Sequence, residues 1–106
     1  MRFKLIVTED AENDIEQAMD WYENKQTGLG TRYVLAVKAC IKLIIKNPFS
    51  FVSIYKSIRK ANTKKFPYSL YYRVNDAEKL VTVFAVIHGF RSEEIRKQRI
   101  DNIITD

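Results

Sequence analysis

Phe66-Pro67-Tyr68-Ser69-Leu70-Tyr71-Tyr72-Arg73-Val74, then a turn at Asn75-Asp76, then Leu80-Val81-Thr82-Val83-Phe84-Ala85-Val86-Ile87-His88, is the stretch that decides the fold. In its first half Phe66, Tyr68, Leu70, Tyr72 and Val74 alternate with Pro67, Ser69, Tyr71 and Arg73. A period of two is that of a strand with one face on a core. The second half is apolar at odd and even positions alike and rich in β-branched residues, as expected of a central strand covered on both faces. Upstream, residues 54–61 alternate more weakly and carry Lys56, Arg59 and Lys60, which predicts one more strand.

Further from this stretch the period changes to that of helices. Tyr33, Val37, Cys40/Ile41 and Ile44 line one face of a helix predicted over 29–46, stopped by Asn47-Pro48. Before it, Ala11, Ile15, Ala18 and Tyr22 recur at helical spacing, with Met19 beside them, and this helix ends ahead of Gly28-Leu29-Gly30. Thr8 stands at its N-cap, and Glu9, Asp10 and Glu12 crowd a first turn where the helix dipole favours negative charge. Residues 3–8 read as a strand with Phe3, Leu5 and Val7 on one face. Beyond Gly89, residues 92–104 read as a short helix, with Ser92 as cap and Ile95, Ile100 and Ile103 as its apolar positions. The predicted architecture is a single α+β domain over 1–106, of order β-α-α-β-β-β(-α). A helical hairpin packs on one face of a small, mainly antiparallel four-stranded sheet.

Composition narrows the class. With 106 residues, 46% hydrophobic and 29% charged, the chain has room for one core and the make-up of an ordinary globular domain. Cys40 is the sole cysteine, so no intrachain disulfide forms, and a reducing, cytoplasmic setting is expected. The longest apolar run, Leu80–Ile87, is far short of the ~18 residues of a membrane span, and the N-terminus does not read as a signal peptide. One histidine and one cysteine on separate elements give no metal-ligand spacing, and neither metal nor cofactor is expected. Charge is unevenly spread. Residues 1–26 hold three basic and seven acidic side chains, whereas residues 27–75 hold ten basic and no acidic ones. That middle segment calls for something negative: nucleic acid, an acidic protein, or the chain's own first helix packed beside it.

Several quoted features occur in one order and spacing. They are Ala11-x-x-Asp14-Ile15 and Trp21-Tyr22-Glu23 on the first helix, Leu29-Gly30-x-Arg32-Tyr33 opening the second, and Asn47-Pro48 closing it. Arg59, the run from Phe66 to Val74, and Val83-x-Ala85-Val86-x-His88-x-x-Arg91 follow. Together they resemble the RelE/ParE toxin superfamily, in its ParE-like plasmid-stabilisation branch, over nearly the whole chain. The resemblance implies the fold just derived. It also implies a bacterial type II toxin neutralised by a cognate antitoxin, through which alone it would meet operator DNA. ParE-like members are described as inhibitors of DNA gyrase that act by binding. RelE-like members are metal-independent, ribosome-dependent mRNA endonucleases.

The residues favour the first branch. Metal-free RNA cleavage needs basic groups converging on one phosphate and groups that move protons. The ribonuclease branch places an arginine three residues before the sheet tyrosine matching Tyr72, where this chain has Ser69. Asn62 stands where that branch has a lysine, and no aromatic or histidine follows Arg91. If the chain were a ribonuclease, Arg91 would stabilise phosphate, Lys60 would assist, and His88 would be the proton-transfer group. The expected reading is a non-enzymatic toxin binding gyrase. The alternatives are the ribosomal endonuclease and a non-toxic remnant that keeps only antitoxin and operator binding. Arg59, Lys60, Arg73 and Arg91 are expected to form one basic target-binding patch on the sheet side away from the hairpin. Trp21, about 100° round the helix from Tyr22, is the candidate antitoxin anchor. Tyr71 joins it, on the assumption that the sheet face opposite the hairpin is open, leaving Ser69, Tyr71 and Arg73 facing solvent. Asp14 and Glu23 are read as exposed helix acids.

Overall fold

The structure, a computed structural model, describes residues 2–89 and 92–104, with the side chains of 92, 93, 103 and 104 left aside. Its order is β1 (Lys4–Val7), α1 (Glu9–Lys25), α2 (Leu29–Lys46), β2 (Val52–Tyr55), β3 (Ile58–Asn62), β4 (Tyr68–Asn75), β5 (Leu80–His88) and α3 (Ser92–Ile104). The five strands form one mixed sheet in the order β1-β5-β4-β3-β2, parallel between β1 and β5 and antiparallel elsewhere. The α+β class and the hairpin-on-sheet layering are as expected, but the sheet has five strands rather than four. The segment read as one strand over 54–61 is broken by a turn at Lys56-Ser57, with Lys56 at φ 48°, and folds back on itself as the hairpin of β2 and β3.

Local chemistry fixes the helical hairpin. The Thr8 hydroxyl accepts the Ala11 N–H at 3.2 Å, capping α1 as its sequence predicts. Gly28 sits at φ 88°, a left-handed conformation that favours glycine, and lets the chain reverse between the helices. The start of α2 has no cap of its own. Glu23 reaches across from α1, and its carboxylate accepts the N–H groups of Gly28 at 2.9 Å and Gly30 at 3.0 Å. A carboxylate on a helix N-terminus is placed where the dipole is positive. Glu23, read as a plain surface acid, therefore holds the turn.

The main core lies between hairpin and sheet. Ala11, Ala18, Tyr33, Val37, Cys40 and Ile44 pack onto Ala61, Leu70, Tyr72, Val74, Val81, Val83 and Val86. Its far end is tied by the Tyr72 hydroxyl, which donates to the Pro48 carbonyl at 2.6 Å. A second, smaller cluster occupies the opposite sheet face: Ile58, Tyr71, Phe84, Ala85 and Ile87, with Ile54 and Ile100 against it. Ile100 belongs to α3, so this face is not open. Tyr71 and Ser69, expected to face solvent, are buried. The physical reason is that Tyr71, Phe84 and Ile87 are too apolar to leave in water, and the C-terminal helix supplies a cover.

Candidate functional site

The residues singled out in the sequence separate into three groups. Arg59 and Lys60 are neighbours on β3, and side chains of adjacent strand residues point to opposite faces. Arg59 pairs in register with Tyr72 of the main core, and Lys60 with Tyr71 of the second cluster. The guanidinium of Arg59 donates to the carbonyls of Phe49 at 3.2 Å and Phe51 at 2.6 Å, and lies 5.3 Å from the centre of the Phe49 ring. Arg59 therefore ties down the connection from α2 to β2 on the hairpin side, and the expected four-residue patch does not form. Lys60 and Arg73, which pairs with Ile58, share the opposite face. Arg91 lies outside the described residues.

Lys60 lines a cleft of about 400 Å³ with Asn62, Phe66, Pro67, Tyr68, Ser69 and Gly89. At its floor the buried Ser69 hydroxyl donates to Asn62 Oδ1 at 2.6 Å. These are the two positions at which the sequence departs from the ribonuclease pattern. They satisfy each other with a neutral hydrogen bond rather than presenting cations to a phosphate. His88 stands next to Gly89, with its ring edge-on to Tyr68 at 5.2 Å. Among the described residues the cleft offers a lysine, an amide and an aromatic wall. It can hold a polar or anionic group.

The third group is on the hairpin. Trp21 is 55% exposed, stacked edge-on against Tyr22 at 5.0 Å, with Lys25 Nζ 4.9 Å above its ring. Tyr22 continues inward to Tyr33, Phe66 and Tyr68, at ring separations of 5.0–6.1 Å. Trp21 is thus the exposed end of an aromatic cluster rooted in the core. On α2, Leu35 and Leu43 are exposed, on a helix whose other face carries Tyr33, Val37, Cys40 and Ile44 into the core. Arg32, Lys38, Lys42 and Lys46 stand on the same helix, and α2 holds no acid. The acidic α1 packs beside it, yet among the described residues the acidic residues of α1 form no ion pairs with the cations of α2.

Burial raises the Tyr33 phenol well above its usual range and pushes Tyr72 up to about 12 and the Cys40 thiol up to about 11. These groups are proton-bound core residues at neutral pH. Among the described residues no cluster of three or more His, Cys, Asp or Glu is placed to hold a metal, and no helix is long and apolar enough to cross a membrane.

A family model described as the ParE toxin of the type II toxin–antitoxin system parDE matches residues 5–92. The chain belongs to this family. It is a toxin of a type II toxin–antitoxin system, within the RelE/ParE superfamily. No significant match arises among curated protein sequences. Among solved structures the ParE family member is similar to the chromosomal ParDE toxin–antitoxin system of P. aeruginosa, with TM-score 0.71 and 16% identity over 82% of this chain and 96% of that one. It is similar also to the isolated E. coli RelE toxin, with TM-score 0.63 and 17% identity over 95% and 98%. The third is the RelBE2 toxin–antitoxin complex of Mycobacterium tuberculosis, with TM-score 0.59 and 14% identity over 83% and 99%. At these identities the likeness is one of fold.

One arrangement had no signal in the sequence. Asp14, read as an exposed acid, lies against β5 and accepts the Val86 N–H at 3.0 Å, while Arg99 of α3 clasps its two oxygens at 2.8 and 2.9 Å. Asp14 and Arg99 are 85 residues apart, and nothing in local spacing couples them.

Proposed function

We propose that this ParE family member acts by binding rather than by chemistry, that its target is DNA gyrase, and that a cognate antitoxin neutralises it. The observation that carries the non-enzymatic reading is the Ser69–Asn62 hydrogen bond at the floor of the Lys60 cleft. Removing one donor that stabilises transition-state charge costs about 10²–10³ in rate, and removing a general acid or base about 10²–10⁴. Among the described residues, a neutral Ser69–Asn62 pair and a lysine stand where cleavage of RNA in a growing cell would need several converging cations. Support for a protein partner comes from the hairpin, where Trp21, Leu35 and Leu43 are exposed beside unpaired cations. Such a surface fits an acidic, amphipathic segment. Plasmid stabilisation and a cytoplasmic location accompany this reading.

The deciding experiment pairs two assays on the same preparation. Purified toxin is added to a gyrase supercoiling reaction, and primer extension is run on translated mRNA after induced expression. Blocked supercoiling with intact mRNA is expected. Codon-phased, ribosome-dependent cuts with untouched gyrase would replace this reading with that of an mRNA endonuclease. The observation favouring that second reading is that Lys60 and Gly89, next to His88, border one cleft. In that event Arg91, Lys60 and His88 are the residues to replace first. Neither effect, with antitoxin binding retained, would mark a non-toxic remnant.

A further inference from the structure

The sheet face away from the hairpin is covered by α3 only in part, and beside that helix lies a second cleft of about 410 Å³. Its lining is Ile54 and Tyr55 of β2 with Arg96, Lys97, Ile100 and Asp101 of α3. Among the described residues it shares none with the Lys60 cleft.

A break in the sheet places Tyr55 there. Val52 pairs with Lys60 and Ser53 with Arg59, but Tyr55 pairs with Ile58, so Ile54 is an extra residue in β2. Strict alternation from Val52 would send Tyr55 to the hairpin side. The bulge returns it to the face of its partner Ile58, which belongs to the cluster beneath α3. There Tyr55 stays exposed, while Ile54 and Ile100 are half-buried. Both walls are held by contacts of their own. On one side the Ser53 hydroxyl donates to the Lys56 carbonyl at 3.2 Å across the turn, and Lys56 Nζ lies 5.2 Å from the centre of the Tyr55 ring. On the other, Arg99, next to Ile100, donates to the Phe84 carbonyl at 3.1 Å and to Asp14 at 2.8 and 2.9 Å, which fixes α3 on the sheet. A preformed concavity of this size, apolar with a few converging polar groups, is the usual form of a small-ligand site.

The lining selects the chemistry of an occupant. Ile54, Ile100 and the Tyr55 ring offer apolar and aromatic surface. The α3 wall adds a guanidinium, an ammonium and one carboxylate: among the described residues, Arg96 and Lys97 against Asp101 leave a net charge of +1. Such a wall attracts a single negative charge and disfavours a cation of the same shape.

We propose that this cleft binds a small amphipathic monoanion, a ring bearing a carboxylate, with the ring against Tyr55, Ile54 and Ile100 and the carboxylate on Arg96 and Lys97. The carboxylate belongs either to a free small acid or to the C-terminus of a peptide ending in an aromatic residue. This site is independent of which macromolecule the toxin poisons.

The test is a titration of isotope-labelled toxin followed through its amide chemical shifts, with phenylacetate, phenethylamine and acetate as probes. Phenylacetate should saturably shift the amides of Ile54, Tyr55, Lys97 and Ile100, and bind at least about tenfold more tightly than phenethylamine or acetate. Tyr55→Ala and Lys97→Glu, each checked by circular dichroism, should weaken phenylacetate about fivefold or more. Lys97→Glu turns the net charge of the lining from +1 to −1 and should also abolish the preference over phenethylamine. The tripeptide Gly-Gly-Phe separates the two sources. Binding as tight as that of phenylacetate, lost when its C-terminus is amidated, assigns a peptide end, and binding at least about tenfold weaker assigns a free acid. If a variant does not fold, the three probes on the wild type decide the matter. Phenethylamine that binds as tightly as phenylacetate overturns the proposal, as do shifts confined to residues outside this cleft.

Discussion

Replacing Gly30 by alanine sets helix propensity against packing, and the two disagree in sign. Gly30 lies in the first turn of α2, where alanine is favoured over glycine by about 1 kcal/mol. From sequence alone the substitution should stabilise. In the structure a Cβ at this position would stand 2.6 Å from the Met19 carbonyl oxygen and 3.0 Å from both Cβ and Oε1 of Glu23. The nearest atom is backbone in the middle of α1 and cannot swing away. Reaching an ordinary contact distance needs the two helices to part by about 0.8 Å. Overpacking of this kind costs about 1–3 kcal/mol. Parting also stretches the Gly30 N–H bond to Glu23, whose loss adds about 1 kcal/mol. The packing side wins, and a net destabilisation of about 1–3 kcal/mol is expected, or about 4–12 °C in Tm for a domain of this size. Urea unfolding should show a lower midpoint with an unchanged slope, because the surface exposed on unfolding is the same. A Gly30→Ala chain melting at or above the wild-type temperature would refute the argument. Gly28→Ala is the contrast: a Cβ there meets nothing within 4 Å, but φ 88° remains, so only the left-handed strain of about 1 kcal/mol applies.

Tyr72→Phe should lose about 1–3 kcal/mol by urea unfolding, because it leaves the Pro48 carbonyl without the hydroxyl that now donates to it in a buried site. Stability should fall as the solution is made alkaline. Burial raises Cys40 from 9.0 to about 11 and Tyr72 from 10.0 to about 12, so the folded chain keeps protons that the unfolded chain releases. Their contribution is complete below about pH 9 and is lost progressively up to about pH 12, read as a falling urea midpoint whose onset moves up in Cys40→Ala. For the same reason the native Cys40 thiol should react with Ellman's reagent only as fast as the protein opens, and rapidly in urea. Trp21→Ala should leave the melting temperature close to wild type, since the ring is more than half exposed, while weakening antitoxin binding by more than about 1 kcal/mol in calorimetry.

The proposed division between an antitoxin patch and a target patch is compatible with the geometry. The sheet face beneath the hairpin is closed by α1 and α2 and the opposite face is partly closed by α3, so the rims are left exposed. One rim is the Lys60 cleft at the end of β4 and β5, and another is the outer surface of the hairpin with Trp21, Leu35 and Leu43. The two are different in chemistry: among the described residues the first sets a lysine, an amide and a hydroxyl against an aromatic wall, and the second is apolar beside several cations. That separation is what a protein needs if an antitoxin and a target are to be met by distinct patches.

Sequence by itself determined what depends on neighbours along the chain. The helix start at Thr8, the helix stop at Asn47-Pro48, the two-residue period of β4 and the apolar run of β5 are local patterns, and each element formed where its pattern lies. The place of Trp21 at the margin of the apolar stripe was equally legible, but whether its indole lay in the core or in water was not. The break at Lys56-Ser57 was not, because alternation continues weakly through a tight turn. What only the tertiary structure decided are relations between distant residues. Arg59 and Lys60 look like one basic pair in sequence, but the strand sends them to opposite faces, and Arg59 is consumed by the carbonyls of Phe49 and Phe51. Tyr71 looks outward until α3 is laid over it. Asp14 and Glu23 look alike as helix acids. One closes a sheet edge with an arginine 85 residues away and the other caps the next helix, because a carboxylate's role is set by which unsatisfied N–H groups the fold brings within 3 Å of it.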